Sequence, residues 1–410
     1  MSLQALLFAH HVAPGSGEPL AAIDVAGLSV LERQVVLARR LGADRIFVMA
    51  ERMPPGLAAA LDHIGESVRV VRSAAAISTE IADGDLILTL QEGLVAEETP
   101  ATALIGETAA PIVAVSLAAP AYADAERLDS DSFWAGFAIY EGAMVRQVAA
   151  DIGEWDLQST LLRTAAGGGV PRVELRVEPS AWRYVGEAAG GSVLSAQLID
   201  ETRPRRFGWP SRFLFSLVEP RAVTALLPTR ITGRLLTIAG VLLGLLASLL
   251  FATGWPWPAL GFAIVAPQLS DVGGQLARLR LEPAEDWVDS IFDWFVEPTW
   301  YLALAAWLAD QGYGFGAWSF AAAAIAFRFA MIRQSAFYRR LKGVELEIEE
   351  PRLAALAAGR DTAPWLLVVA GLGSLWLAGL GAVAVYAAAS FFVLQARLFA
   401  RLADPAGAKL

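Results

Sequence analysis

The sequence predicts an α/β domain over residues 1–200, followed by an all-α domain of six transmembrane helices over residues 233–400. Two patterns lead to this prediction. Short apolar runs alternate with helical patterns in the first half, and apolar stretches of membrane length fill the second half. Hydrophobic residues make up 56% of the 410 residues and charged residues only 18%, which is too apolar for an ordinary soluble protein.

In the first half, the order strand, helix, strand favours a parallel sheet covered by helices. A helix is predicted over Leu31–Leu41, where apolar residues recur at helical spacing. The predicted strands are Ala5–Ala9, Arg45–Ala50, Val68–Arg72, Asp85–Leu90 and Pro111–Ser116.

Residues 201–232 form a basic and aromatic linker between the two halves. Arginines alternate there with Phe, Trp and Leu in the stretch RPRRFGWPSRFLFSLVEPRAVTALLPTRITGR. This pattern is typical of a helix that lies in the interface of an anionic leaflet. A surface helix that packs on the soluble domain would give a similar pattern, so the sequence leaves both interpretations open.

Six apolar stretches predict the membrane helices, since a spanning helix needs about 20 apolar residues. They cover residues 234–253, 257–277, 295–311, 316–335, 363–379 and 380–400, and the last two are divided near Gly379 and Gly381. With both termini inside, the Lys and Arg residues of the loops fall on the inner side, as the positive-inside rule requires. Residues 401–410 are then a cytoplasmic tail. Arg328 lies inside the fourth stretch, where it either snorkels to the interface or faces a polar cavity.

Composition excludes several classes of function. The chain has no cysteine, so thiolate metal sites and cysteine nucleophiles are excluded. Its three histidines, His10, His11 and His63, all precede the membrane half, which excludes histidine chemistry there. A net charge of −10 argues against a nucleic-acid partner. The first residues lack a basic segment followed by a long apolar core, so we expect no signal peptide and a cytoplasmic first domain.

The most informative segment is DVGGQLARLRLEPAEDWVDSIFDWF, which begins at Asp271 and lies between the second and third apolar stretches. Acidic residues at a bilayer boundary are costly and usually mark a site. The segment matches part of the pattern D-x-x-D-G-x-x-A-R, a spacer about two residues longer than here, and G-x-x-x-D-x-x-x-D. The residues that match this pattern are Gly274, Ala277, Arg278, Asp289 and Asp293.

This pattern is the signature of the CDP-alcohol phosphotransferase family, which the membrane half therefore resembles. Ser270, Gly273 and Glu285 stand where the family has Asp, Asp and Gly. The stretch PTRITGRLLT resembles the segment before the family's first membrane helix. The resemblance implies six spans and the transfer of a phosphoalcohol from a CDP-alcohol to a hydroxyl acceptor, with release of CMP.

The resemblance also implies the residues of the site. Asp293 would accept the proton of the attacking hydroxyl. The implied ligands of Mg²⁺ or Mn²⁺ are Asp271, Asp289 and Asp293, with Asp271 one residue away from the family's position. The implied substrate-binding residues are Gly274, Ala277 and Arg278, the last through a phosphate. Alternatively, these charged residues only solvate a cytoplasmic loop.

The first domain resembles the sugar-nucleotidyltransferase fold. The stretch GLSVLERQVVLARRLGADRIFVMA is similar to the family's helix after the nucleotide loop and its second strand, and residues 133–165 resemble the later part. The layout of both halves is similar to that of the bifunctional inositol-phosphate cytidylyltransferase and phosphotransferases.

The chemistry of the nucleotide loop is not retained. The family's loop is rich in Gly and carries a basic residue, because backbone N–H groups and a cation hold a triphosphate. Here the loop AHHVAPGSGEPLAAID has no Arg or Lys before Arg33, and Gln91 and Glu92 stand where the family has a metal-binding aspartate. We therefore expect an inactive nucleotidyltransferase site. His10 and His11 are either part of a polar loop or contacts for a nucleotide.

These resemblances predict a multi-pass protein of the bacterial inner membrane that acts in phospholipid head-group biosynthesis. The expected partners are a CDP-alcohol, a lipid or phosphoalcohol acceptor, membrane lipids and no nucleic acid. Small residues such as Ala321–Ala326 would also permit a homodimer through the membrane helices. The missing acids favour an alternative, a catalytically inactive relative that acts as a partner or regulator of an active phosphotransferase. A transporter is a third hypothesis, although no internal repeat is evident.

Overall fold

The computed structural model describes residues 2–15, 17–64, 67–107, 111–117, 126–152, 156–203, 208–282, 291–342 and 351–403. The chain forms two compact units, Met1–Leu198 and Ile199–Leu410. Each unit has hydrophobic cores of its own.

The first unit contains a seven-stranded mixed sheet with helices on both faces. The strands of the whole unit are β1 (Leu3–Phe8), β2 (Asp24–Val25), β3 (Leu28–Ser29), β4 (Arg45–Met49), β5 (Val68–Val71), β6 (Leu86–Leu90), β7 (Leu94–Ala96), β8 (Ile112–Ser116), β9 (Phe133–Glu141), β10 (Arg172–Glu174) and β11 (Trp182–Tyr184). Its helices are α1 (Val30–Arg40), α2 (Pro55–Ile64), α3 (Ala74–Glu80), α4 (Glu98–Glu107), α5 (Gly142–Asp151), α6 (Leu157–Gly167) and α7 (Ala188–Glu201). Two smaller sheets have two strands each, β2 with β3 and β7 with β11.

The order of the main sheet is β10-β8-β9-β6-β1-β4-β5. The side chains of β1 point alternately into the two hydrophobic cores on either face of the sheet. Ala5 and Leu7 belong to one core, and Leu6 and Phe8 belong to the other. Strand β9 runs antiparallel to both of its neighbours, β6 and β8, so the sheet is rich in parallel pairs but not wholly parallel as predicted. No strand is predicted for β9, because its continuous apolar run lacks the alternation of a strand.

The predicted strands and the first helix lie within one or two residues of their predicted bounds. Helix α1 begins where it does because Ser29 and Glu32 form a capping box. The Ser29 hydroxyl accepts a bond from the Glu32 backbone N–H at 3.1 Å, and the Glu32 carboxylate accepts one from the Ser29 N–H at 2.7 Å. The chain direction after the β2–β3 hairpin is thereby fixed.

The described part of the second unit is helical. Its helices are α8 (Trp209–Phe213), α9 (Val218–Leu226), α10 (Gly233–Ala252), α11 (Pro256–Leu279), α12 (Glu297–Leu308), α13 (Gly314–Lys342), α14 (Pro351–Leu356), α15 (Thr362–Leu372) and α16 (Trp376–Ala403). A π-helical turn, Phe292–Val296, precedes α12.

Within the described residues, three helical segments are long and apolar enough to cross a membrane by length and composition. They are Gly233–Ala252, Phe292–Arg340 and Trp376–Ala400. The second segment is interrupted at Gly312, whose φ of 91° is not helical, and α12 and α13 on either side of this residue pack against each other. The second unit is thus membrane-associated in character, and six crossings remain a prediction.

The last hairpin turns at a different place from the predicted one. Helix α15 ends at Leu372 and α16 begins at Trp376, so the predicted division near Gly379 and Gly381 is wrong. Gly379 lies inside α16, where a Cβ would come within 2.6 Å of the Ala370 Cβ. Its lack of a side chain therefore permits close helix packing rather than a turn.

Helices α10 and α11 pack with their backbones almost in contact. A Cβ on Gly233 would lie 2.3 Å from the Gly273 carbonyl oxygen, and one on Gly240 would lie 2.7 Å from the Ala266 oxygen. Small residues at such positions allow van der Waals packing that larger ones would prevent. This approach fixes the half of α11 that carries Asp271.

Arg328 is buried and paired, so it does not snorkel. Its Nε and Nη2 donate to the two carboxylate oxygens of Glu297, both at 2.9 Å, and its Nη1 donates to the Ala358 carbonyl at 2.8 Å. The Tyr301 hydroxyl donates to Glu297 at 2.7 Å. This bidentate pair joins α12 and α13 and also reaches the segment before α15.

Removal of either Glu297 or Arg328 alone should therefore lower the free energy of unfolding far more than replacement of both. We expect Glu297→Ala to lower the free energy of unfolding by about 3–5 kcal/mol, because it leaves the Arg328 guanidinium buried without its carboxylate. The measurement is SDS-induced unfolding in mixed micelles. The double variant Glu297→Leu with Arg328→Met should recover most of the loss.

Asp310 is an exposed acid at the end of the same helical segment and provides the matched control. Asp310→Ala should change the stability by less than about 0.5 kcal/mol. An equal loss in the two single variants Glu297→Ala and Asp310→Ala would contradict the structural role of the buried pair.

Candidate functional site

The first candidate site brings together three charged residues that are far apart in the sequence. Asp271 lies on α11, Asp293 lies on the π-helical turn before α12, and Arg360 precedes α15. Arg360 Nη2 donates to the Asp271 carboxylate, and Arg360 Nη1 lies 3.5 Å from Asp293 Oδ1. Asp271 and Arg360 are buried, whereas the Asp293 side chain is 31% exposed.

Two further contacts hold the guanidinium between these carboxylates. It lies 4.7 Å from the centre of the Phe292 ring, a cation–π arrangement. The turn that carries it is closed by a bond from the Gly359 N–H to the Thr362 hydroxyl at 3.1 Å. Arg360 is therefore a positioned cation at this site.

The three residues predicted to bind substrate, Gly274, Ala277 and Arg278, lie near the end of α11. Gly274 and Ala277 are partly buried, and the Ala277 backbone lies against α10, where a Cβ on Gly233 would approach its nitrogen to 2.6 Å. Arg278 is exposed and its Nη2 donates to the Thr202 carbonyl at 3.0 Å. The roles of these three residues in substrate binding remain predictions.

The predicted metal ligands are only partly represented. Asp289 lies in 283–290, outside the described residues. Among the described residues, no group of three or more His, Cys, Asp or Glu could hold a metal ion. Magnesium requires near-octahedral oxygen ligands. Asp271 and Asp293 supply two carboxylates with a guanidinium between them, so these two described donors do not by themselves form an octahedral oxygen site.

Arg360 was not among the predicted site residues. In the sequence it is one of several basic residues in the loop before the fifth apolar stretch, where the positive-inside rule already accounts for it. A signal was nevertheless present, because Arg360 and Asp361 are adjacent charges at the start of an apolar helix. Buried charges at a bilayer boundary require partners.

The second candidate site is the loop after β1 in the first unit. Glu92 follows β6 and is buried. Its carboxylate accepts the His10 N–H at 3.0 Å and the His11 N–H at 3.0 Å, and it lies 2.9 Å from His11 Nδ1. The backbone donors at the start of this loop therefore already hold an anion, which is the chain's own carboxylate.

Arg33, the first basic residue after this loop, contacts the β2–β3 hairpin. Its buried guanidinium donates to the Val25 carbonyl in the β2–β3 hairpin, at 2.9 Å from Nε and 2.5 Å from Nη2. Burial lowers the pKa of Arg33 to about 10, although Asp24 and Glu32 act against this shift. The guanidinium stabilises the hairpin.

Comparison with known proteins gives a limited result. No family model matches this sequence. No curated protein matches it either. Among solved structures, the crystal structure of 4-diphosphocytidyl-2C-methyl-D-erythritol synthase is similar to the N-terminal part, with 14% identity and a TM-score of 0.36. The match covers 48% of this chain and 98% of that chain.

The Glu92 contacts predict a specific local effect. Glu92→Ala removes the acceptor of two backbone donors, and a lost hydrogen bond to a charged group is worth about 1.5–3 kcal/mol. We expect faster hydrogen exchange of the His10 and His11 amides, measured by mass spectrometry of the peptide that contains them. Glu97→Ala, at an exposed acid after β7, is the control and should leave this exchange unchanged. Unchanged exchange in Glu92→Ala would contradict the role of the carboxylate.

Proposed function

We propose that this protein is a non-catalytic relative of the CDP-alcohol phosphotransferases, associated with the membrane through its second unit. In this proposal it acts as a partner or regulator of an active phosphotransferase. The observation that supports it most is the guanidinium of Arg360 between Asp271 and Asp293.

Electrostatics explain why this arrangement opposes catalysis. Two neighbouring carboxylates, one of them buried, attract a cation, and the chain supplies that cation itself. A divalent ion between the same carboxylates would lie beside a fixed positive charge, and like charges repel strongly where water is scarce. Arg360 therefore competes with a metal for Asp271 and Asp293.

The loop after β1 in the first unit also supports a non-catalytic role, and there the group that the chain supplies is an anion. The backbone N–H groups of His10 and His11, at the start of the loop that would receive a phosphate, are bound to Glu92. A phosphate there would meet a buried carboxylate, which disfavours a second anion. The absence of Arg and Lys between β1 and Arg33 acts in the same direction.

The second candidate function is the transfer reaction itself, with CMP release. Asp293 favours it, because its side chain remains partly exposed and lies near Asp271 through their common contact with Arg360. A carboxylate that a substrate can reach is the group that such a reaction would use as a general base.

A direct assay separates the two functions. The purified protein in lipid, with Mg²⁺ or Mn²⁺ and a panel of CDP-alcohols, should release no more CMP than Asp293→Asn or Asp289→Asn does. An active family member in the same lipid is the positive control. Metal-dependent release by the wild type that both variants lose would overturn the proposal and establish the transferase.

The role of Arg360 gives a second prediction. Arg360→Ala leaves the Asp271 carboxylate buried without its cation, so we expect lower thermal stability that Mn²⁺ partly restores. Mn²⁺ binding, measured by electron paramagnetic resonance, should appear in Arg360→Ala and be absent from wild type.

Two variants make this measurement decisive. Arg360→Lys retains the charge and should not bind Mn²⁺, while Asp271→Asn added to Arg360→Ala should abolish the new binding. Stoichiometric Mn²⁺ binding by the wild type that Asp271→Asn abolishes would show that the guanidinium does not exclude a metal.

A further inference from the structure

A group of large apolar side chains is exposed where α8 turns into α9. Phe213 is 61% exposed and Leu217 67% exposed, and Leu214 and Val218 beside them are also exposed. Contiguous apolar surface of this kind usually marks an interaction site. We call the exposed side of residues 212–221 the linker face.

The other side of α9 packs on α11, so the linker face is the side of α9 that remains exposed. Val223 is fully buried and Glu219 nearly so, and α9 packs on α11. The Glu219 carboxylate lies 3.5 Å from Arg203 Nε. This spacing of buried and exposed residues gives α9 one packed side and one open side.

The charges around the linker face have one sign. Over residues 208–234 the basic residues are Arg212, Arg221, Arg230 and Arg234, all exposed. The single acid of this stretch, Glu219, is buried and paired with Arg203. Apolar side chains surrounded by exposed arginines match a surface that is apolar inside and anionic at its boundary.

The linker face is also continuous with a helix that can cross a membrane. Helix α10 begins at Gly233 and exposes an apolar stripe along its length. Members of that stripe are Leu235, Ile238, Leu242, Leu245 and Leu249. The spacing of three and four residues places them on one side of the helix, as expected of contact with lipid tails.

Arg280 fixes the geometry between the linker face and α10. Its guanidinium donates to backbone carbonyls in the turn that joins α9 to α10, at distances of 2.5–3.1 Å. These acceptors belong to Leu226, Leu227, Thr229 and Ile231. The Glu282 carboxylate accepts the Gly233 N–H at 3.1 Å. Helix α9 is therefore held at the first turn of α10, where a bilayer surface would lie.

We propose that the linker face docks on the head groups of anionic lipids, with Leu217 and Val218 inserted at the boundary of the acyl chains and Arg212 and Arg221 among the phosphates. This binding depends on the membrane insertion of α10 and is independent of whether Asp271 and Asp293 take part in catalysis.

The absence of cysteine from the chain permits a direct test. Leu217→Cys in the full-length protein is labelled with a nitroxide and reconstituted into liposomes of phosphatidylcholine, with or without phosphatidylglycerol. Collision rates with oxygen, which enriches in lipid, and with a water-soluble nickel chelate give the environment of the label. Leu242→Cys on α10 is the lipid reference, and Val12→Cys, exposed in the first unit, is the water reference.

We expect the Leu217 label to show a several-fold lower nickel collision rate than Val12, with oxygen access between the two references. The label at position 217 should lie deeper in liposomes that contain phosphatidylglycerol. The double variant Arg212→Ser with Arg221→Ser should remove this dependence of the depth on phosphatidylglycerol. Nickel access equal to that of Val12 would place the face in water and overturn the proposal. Exclusion of both reagents would mean that protein covers it, and a depth independent of phosphatidylglycerol would rule out recognition of anionic lipid.

Discussion

A carboxylate buried among apolar helices needs a positive partner, and much of the second unit follows from that requirement. Helix α11 packs closely on α10 at Gly233 and Gly273, and its Asp271 side chain is buried. An isolated buried charge is expensive, and a pair with additional bonds is far less so. Arg360 supplies the partner and thereby ties the segment before α15 to α11.

In each unit, a charged side chain of the chain itself binds the groups of opposite polarity at the candidate site. In the first, the backbone donors of His10 and His11 favour an anionic acceptor, and Glu92 provides it. In the second, Asp271 requires a cation, and Arg360 provides it. A tethered group acts at a high effective concentration and loses no translational freedom when it binds. A free ion or phosphate has to compete with a partner that is always present.

The sequence predicted elements better than it predicted contacts. Helical spacing placed α1, and short apolar runs placed β4 and β6, because these patterns are local. The continuous apolar run of β9 has no such period, and Gly379 was interpreted as a turn although it lies at a helix contact. Glycine serves both purposes, and one sequence does not distinguish them.

The candidate sites show why contacts were missed. A family signature predicts Asp293 by its spacing and Asp271 as a neighbour of an expected position, whereas Arg360 is 89 residues from Asp271 in the chain. In the sequence Glu92 stands only near the position of the family's metal-binding aspartate, and its bonds to a loop 81 residues away depend on the neighbouring positions of β1 and β6 in the sheet. Pairings of this kind are set by topology.

The backbone around Arg360 explains why its guanidinium is a fixed part of the site. The Ala358 N–H donates to the Ser390 hydroxyl on α16 at 3.0 Å, and the Ala358 carbonyl accepts from Arg328 on α13 at 2.8 Å. Arg328 is itself held by Glu297 on α12. The two buried ion pairs therefore share one short segment of backbone. Because helices on several sides hold this segment, withdrawal of Arg360 from Asp271 would require its side chain to move within a fixed frame, leaving a buried carboxylate behind.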